Sequence, residues 1–159
     1  MSEPDTPALR ALAGSDLDFE VVRTQRARSA EKSAAFQGIE LGQLLRTIVI
    51  RRAENDYVFV LVPGGLQIDW PKLRTHLGVS RLSLPDADEA KAATGYERGA
   101  ITPFGSATAW PVIADATIPG LGTVAIGGGG HGINLHVAAS ALVEFLHAEL
   151  ADVTKPDDR

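Results

Sequence analysis

The chain has 159 residues, of which 45% are hydrophobic and 22% charged, with a formal net charge of −5 and no cysteine. This length and balance point to one globular domain with a proper core, and they exclude a disordered chain, a disulfide scaffold and thiolate chemistry. An acidic total also argues against indiscriminate nucleic-acid binding, and the apolar runs are far too short to span a membrane.

The first dozen residues carry Glu3 and Asp5 and no apolar leader region, so a soluble, cytoplasmic protein is expected. Charge is distributed unevenly. Residues 20–52 hold seven bases (Arg23, Arg26, Arg28, Lys32, Arg46, Arg51, Arg52) against three acids, while residues 53–159 hold seven against thirteen. A basic segment on an acidic chain is suited to meeting phosphates selectively; equally, it is what a solvated arginine-rich helix and strand edge would look like.

In chain order, residues 1–12 read as a flexible end and Phe19 to Arg23 as a strand. Ser29 stands at a helix N-cap before an alanine-rich helix closed by Gly38. A short helical turn around Gln43 to Leu45 leads into a strand from Thr47 to Arg51. Asn55-Asp56 turns the chain into the apolar strand Tyr57 to Val62, which completes a hairpin. Asp69 caps a helix ending at Gly78, and a short strand from Arg81 to Leu84 follows. Asp86 or Asp88 caps the next helix, closed by Gly95. A loop runs from Gly99 to Ala109, with strands at Pro111 to Ala114 and Thr123 to Ile126. The glycine run 127–130 reads as a hairpin turn before a strand from Ile133 to Val137, and Ala139 to Leu150 as an amphipathic helix. Residues 152–159 read as a second flexible end. The expected fold class is mixed α/β: a single domain with a curved, largely antiparallel, barrel-like sheet surrounded by helices.

Several joints between these elements carry a pattern. Leu44-Leu45-Arg46-Thr47-Ile48-Val49 opens a strand. Val60-Leu61-Val62-Pro63-Gly64 closes the next. Thr94-Gly95-Tyr96 leads into Gly99-Ala100-Ile101-Thr102-Pro103-Phe104-Gly105, giving G-Y-x-x-G-x-x-x-P-F-G. Pro111 to Asp115 and Gly127 to Gly130 follow. In this order, over residues 18–150, the chain resembles the YbaK/ProX family of prolyl-tRNA-synthetase-associated editing domains. That resemblance implies hydrolysis of the ester joining a wrong amino acid to tRNA, of the Cys- or Ala-tRNAPro class, by a free-standing protein. Its implied partners are aminoacyl-tRNA and an aminoacyl-tRNA synthetase.

The chemistry needs donors for a developing oxyanion and a placed water. The resemblance assigns catalysis to Arg46, Gly99 and Pro103. It assigns substrate contact to Thr47, Ala100, Ile101, Thr102, Phe104, Asp115, Gly129 and Gly130; His131, which follows the glycine run, is a further candidate for substrate contact and equally reads as a surface-turn histidine. Arg23, Arg26 and Arg28 are the candidates for the tRNA. Arg46 departs from the family pattern, which has lysine there; arginine keeps its charge and offers a planar fork, but does not serve as a general base. The alternative reading is therefore a non-catalytic protein that binds aminoacyl-tRNA or a nucleotide on the same fold. Hydrolysis of another small acyl ester is a third. Asp115 also reads as a turn aspartate, and the glycine run lacks the Lys-Ser/Thr of a phosphate loop. His76, His136 and His147 are scattered without metal-ligand spacing, so neither a metal nor another cofactor is expected.

Overall fold

The central strand explains the layering. Tyr57 to Val62 is an unbroken apolar run, and such runs suit a strand covered on both faces. In the computed structural model, which describes residues 4–157, this run lies in β3 (Asp56–Pro63), whose residues from Tyr57 onward are all buried. It pairs antiparallel with β2 (Leu45–Ala53) and parallel with β5 (Val112–Asp115), which pairs parallel with β8 (Glu149–Ala151). Alternation along β2 and β3 divides the interior. Leu45, Val49, Phe59 and Leu61 enter the larger core, and Ile50, Val58, Val60 and Val62 a second one on the other face. Each such side chain contributes about 1.5–3 kcal/mol on burial.

A second, antiparallel sheet has the order β1 (Phe19–Arg23), β7 (Ile133–Ala138), β6 (Thr123–Gly130). A single bridge from Leu44 to Ala125 joins it to β2. The fold is thus mixed α/β and largely antiparallel, but the sheets stop short of a closed barrel.

The helix ends follow local chemistry. Ser29, Asp69 and Asp86 each accept a backbone N–H three residues on, starting α2 (Ala30–Gln37), α3 (Trp70–Leu77) and α4 (Ala87–Thr94). Gly38, Gly78 and Gly95 end these helices in the left-handed region.

Other expectations need correction. The end read as flexible contains α1 (Pro7–Leu12), capped by Thr6, whose hydroxyl also donates to the Gly128 carbonyl. The other end contains β9 (Thr154–Pro156), paired with β4 (Leu66–Ile68), a strand not foreseen. Residues 1–3 and 158–159 lie outside the described residues. The glycine run forms the bulged end of β6 rather than a turn; the chain reverses at His131-Gly132. Its lack of side chains has a tertiary cause: a Cβ on Gly128 would stand 2.8 Å from Ile133 Cγ2, and one on Gly129 3.2 Å from Ala8 of α1. The last helix, α5 (Ala139–Phe145), stops early, because His147 turns left-handed and Glu149–Ala151 serves β5 as a strand partner. Arg81 to Leu84 makes one bridge, Ser83 to Arg51, instead of a strand. The helical turn before β2 is Leu41–Gln43, so β2 starts earlier than expected.

Candidate active site

The first residues of β2 form one wall of a pocket of about 440 Å³. Leu45, Thr47 and Val49 alternate with Arg46 and Ile48, so both faces of the strand take part. Gly99 and Ile101, Gly127 and Asn134 from the register pair of β6 and β7, and Leu84 and Pro85 also line it. The lining is mostly apolar. Arg46, Arg98, Gly99, Gly127 and Asn134 also border a second, more polar groove of about 550 Å³, which reaches Thr24, Arg26, Ser29, Gly130 and His131. The two spaces therefore adjoin along a shared rim that bears two arginines.

The loop carrying Gly99 is held from within. The buried Tyr96 donates its hydroxyl to the Phe104 carbonyl, and Ala100 N–H donates to Glu97 O at 2.9 Å. Gly99 has φ +89°, a conformation that suits glycine. A Cβ there would meet His131 Cε1 at 3.0 Å, so the bare backbone is what lets the imidazole lie against the loop.

Arg46 is exposed and anchored: one terminal nitrogen donates to the Leu66 carbonyl, leaving the rest of its donor fork for a ligand. Thr47 Oγ1 and Thr102 Oγ1 are buried and have no hydrogen-bond partner within the described residues. An unpaired buried hydroxyl costs about 1–3 kcal/mol, and Thr47 carries one in a residue of the pocket wall.

Of the residues singled out from sequence, the structure gathers Arg46, Thr47, Gly99, Ala100, Ile101, Gly130, His131 and Arg26 around these two spaces. It does not bring the others there. Phe104 is buried in the larger core, its ring centroid 6.0 Å from that of Phe145. Thr102, which is buried, and Pro103 belong to the loop but line neither space, and Gly129 packs against Tyr96, Ala8 and Thr6. Arg23 and Arg28 are exposed but outside the groove lining. Asp115 is only 1% exposed and lies away from the pocket. It accepts from Thr117 N and Oγ1, Val153 N and Thr154 Oγ1, so its lone pairs are spent on the chain's own turn and tail and none is left for an α-ammonium. Sequence reasoning missed Arg98, Asn134, Leu84 and Pro85. Arg98 is one of the x positions of G-Y-x-x-G, and Asn134 could have been found from its pairing with Gly127.

Among the described residues, no group of three or more His, Asp or Glu lies close enough to hold a metal ion, and no helix is long and apolar enough to cross a membrane.

A small mixed α/β domain with an apolar pocket opening onto a cation-rimmed groove is built for a ligand with an uncharged end and an anionic end. Residues 24–145 match the aminoacyl-tRNA editing domain, and the chain belongs to that family. Its chemical class is aminoacyl-tRNA hydrolase. A protein of Enterococcus faecalis provisionally named a Cys-tRNA(Pro)/Cys-tRNA(Cys) deacylase, EbsC, is 24% identical over 86% of this chain and 84% of its own. A proline–tRNA ligase of Geobacter sp. (strain M21) is 32% identical over 65% of this chain, which spans only 18% of that enzyme. Among solved structures, a protein described as a trans-editing candidate for prolyl-tRNA synthetase superposes with a TM-score of 0.86 at 24% identity, covering 96% of this chain and 99% of its own. Hypothetical protein APE2540 superposes at 0.85 with 21% identity, covering 94% and 99%. At these identities the two structures establish the fold.

Proposed function

We propose that the protein is a trans-acting deacylase that clears a small wrong amino acid from tRNA, with Cys- and Ala-tRNAPro as the leading substrates. The observation that carries this reading is the shared rim: Arg46 and Gly99 border both the apolar pocket and the polar groove. A substrate whose acyl group fills the first and whose terminal nucleotide lies along the second has its ester at that rim. The names of EbsC, of the proline–tRNA ligases and of the trans-editing structure support the substrate class. A cytoplasmic site of action, and a synthetase as source of the mischarged tRNA, follow from the same reading.

In this mechanism water attacks the ester carbonyl carbon, and the carbonyl oxygen becomes an oxyanion. Arg46 and backbone N–H groups of the Gly99 loop stabilise that charge, while Pro103 stiffens the loop exit. The carbon–oxygen bond to the ribose then breaks. The ribose oxygen takes up the proton given by water, leaving a free amino acid and a 3′-terminal hydroxyl. No protein general base is invoked; the attacking water is positioned by the substrate's own ribose hydroxyl or side chain. Thr47 donates to the substrate, and Arg26 and His131 hold the terminal nucleotide, with Arg23 and Arg28 nearby in sequence for further phosphates.

A second reading is kept by one observation. Arg46 stands where lysine is the family pattern, and part of its fork is already committed to the Leu66 carbonyl. On that reading the protein binds aminoacyl-tRNA without turnover. Release of labelled amino acid from a panel of mischarged tRNAs separates the two: protein-dependent release from one or a few members supports the deacylase, and saturable binding without release supports the binding protein.

A further inference from the structure

Next to the pocket lies a feature that the deacylase mechanism leaves unused. A separate cleft of about 540 Å³ is lined by Arg51 and Arg52 from the end of β2, Arg74 from α3, and Arg81 with Ser80 and Ser83 from the segment between α3 and α4. Four arginines and two serines are among the lining residues, and no acidic residue is. Arg51 and Arg52 have partners at the margin, Glu89 at 3.5 Å and Asp56 at 2.8 Å. Arg74 and Arg81 have no carboxylate within ion-pair distance among the described residues. On a chain of net charge −5, Arg74 and Arg81 thus bring two cations without a counter-charge to one cleft, which suits an anionic ligand.

The cleft is built into the same frame as the pocket. Arg51 and Ser83 exchange two backbone hydrogen bonds, of 2.9 and 3.1 Å, which pin the 80–85 segment along the free edge of β2. Along β2, the pocket wall runs to Val49 and the cleft begins at Arg51; along the second segment, Leu84 faces the pocket and Ser83 the cleft. At ~3.3 Å per residue, the five steps from Arg46 to Arg51 place the cleft about 17 Å from the reacting ester. That is too far for the terminal nucleotide's own phosphate.

We propose that this arginine cleft is a second phosphate-binding site, which takes the sugar–phosphate backbone of the tRNA upstream of its terminal nucleotide. The proposal rests on the deacylase reading for the position of the ester. Arginine forks suit phosphate oxygens, and contacts of this kind position a nucleic acid without reading its sequence. Occupied in this way, the cleft favours a whole tRNA over a short aminoacyl ester.

The test compares wild type with R74Q/R81Q, and with R10Q as a remote control, using deacylated tRNAPro transcript, 3′-aminoacyl-adenosine and inorganic phosphate as probes. The expected result for R74Q/R81Q is about tenfold weaker tRNA binding near physiological salt. The slope of log affinity against log salt should fall by roughly 1–2. Thermal melting and hydrolysis of the aminoacyl-adenosine should not change. Unaltered tRNA affinity and salt slope would overturn the proposal. So would equal slowing on aminoacyl-adenosine, which would place the effect in the pocket, or loss of inorganic phosphate binding with tRNA binding intact, which would make the cleft a free-anion site. The tRNA-binding arm needs no turnover, so a wild type that binds tRNA but releases no amino acid sinks the deacylase reading while leaving the cleft to be judged on binding.

Discussion

Gly99 and His131 lie against each other at the rim of the site: a Cβ on Gly99 would stand 3.0 Å from the imidazole Cε1, and Gly99 holds a φ of +89°. Gly99→Ala must therefore strain the backbone and displace the ring together. The expected cost is about 1–2 kcal/mol of stability with a much larger loss of deacylation, of the order of 10²-fold, because the loop donors move relative to the ester. Melting temperature and single-turnover rates measure the two parts. Equal activity at reduced stability would remove the loop from the mechanism.

Arg46 makes a second prediction. Arg46→Ala removes the charge at the rim and should lower the hydrolytic rate constant by about 10²–10³-fold. Arg46→Lys keeps the charge but gives up the planar fork that reaches Leu66, and should retain substantial activity. Should the lysine variant create turnover in a protein that had none, the binding reading would hold instead.

Thr47 tests the pocket wall. Its hydroxyl is buried without a partner, so Thr47→Val should leave stability within about 1 kcal/mol of wild type, on the stabilising side. If that hydroxyl serves the substrate, KM rises several-fold while the fold is untouched. A variant both more stable and fully active would assign Thr47 to packing alone.

The chain's two tyrosines give a pH prediction. Tyr57 titrates above the ordinary value, first because its hydroxyl donates to Glu89 and then because it is buried. Tyr96 is raised chiefly by burial. A raised folded-state pKa means that the native state holds the proton more tightly. The stability it contributes is fully present below about pH 10, the unfolded tyrosine value, and is lost as pH rises through the folded values above it. Phenolate absorbance should therefore appear at higher pH in the folded protein than in denaturant, with melting temperature falling over that same interval. Tyr96→Phe orphans the buried Phe104 carbonyl and should cost about 1–3 kcal/mol at neutral pH.

What could be seen in the sequence was local in cause. Ser29, Asp69 and Asp86 cap helices through bonds three residues away, and Gly38, Gly78 and Gly95 end them, so their signals lie within one turn. The G-Y-x-x-G loop and Arg46-Thr47 were legible because their residues are close in sequence. The rest depended on distant partners. The glycine run makes room for Ile133 and α1, Asp115 is satisfied from the chain's own tail, and Glu149–Ala151 leaves a helical pattern to pair with β5. Arg98 occupies a position where the motif specifies nothing, and only the folded rim gives it significance.

The most direct test of the central claim is release of labelled alanine or cysteine from tRNAPro under single-turnover conditions, with wild type, Arg46→Ala and no protein in parallel. The account predicts protein-dependent release from at least one of the two substrates, reduced by about 10²–10³-fold in the variant. Saturable tRNA binding with release no faster than the uncatalysed reaction would contradict it, and would leave an aminoacyl-tRNA-binding protein on an editing fold.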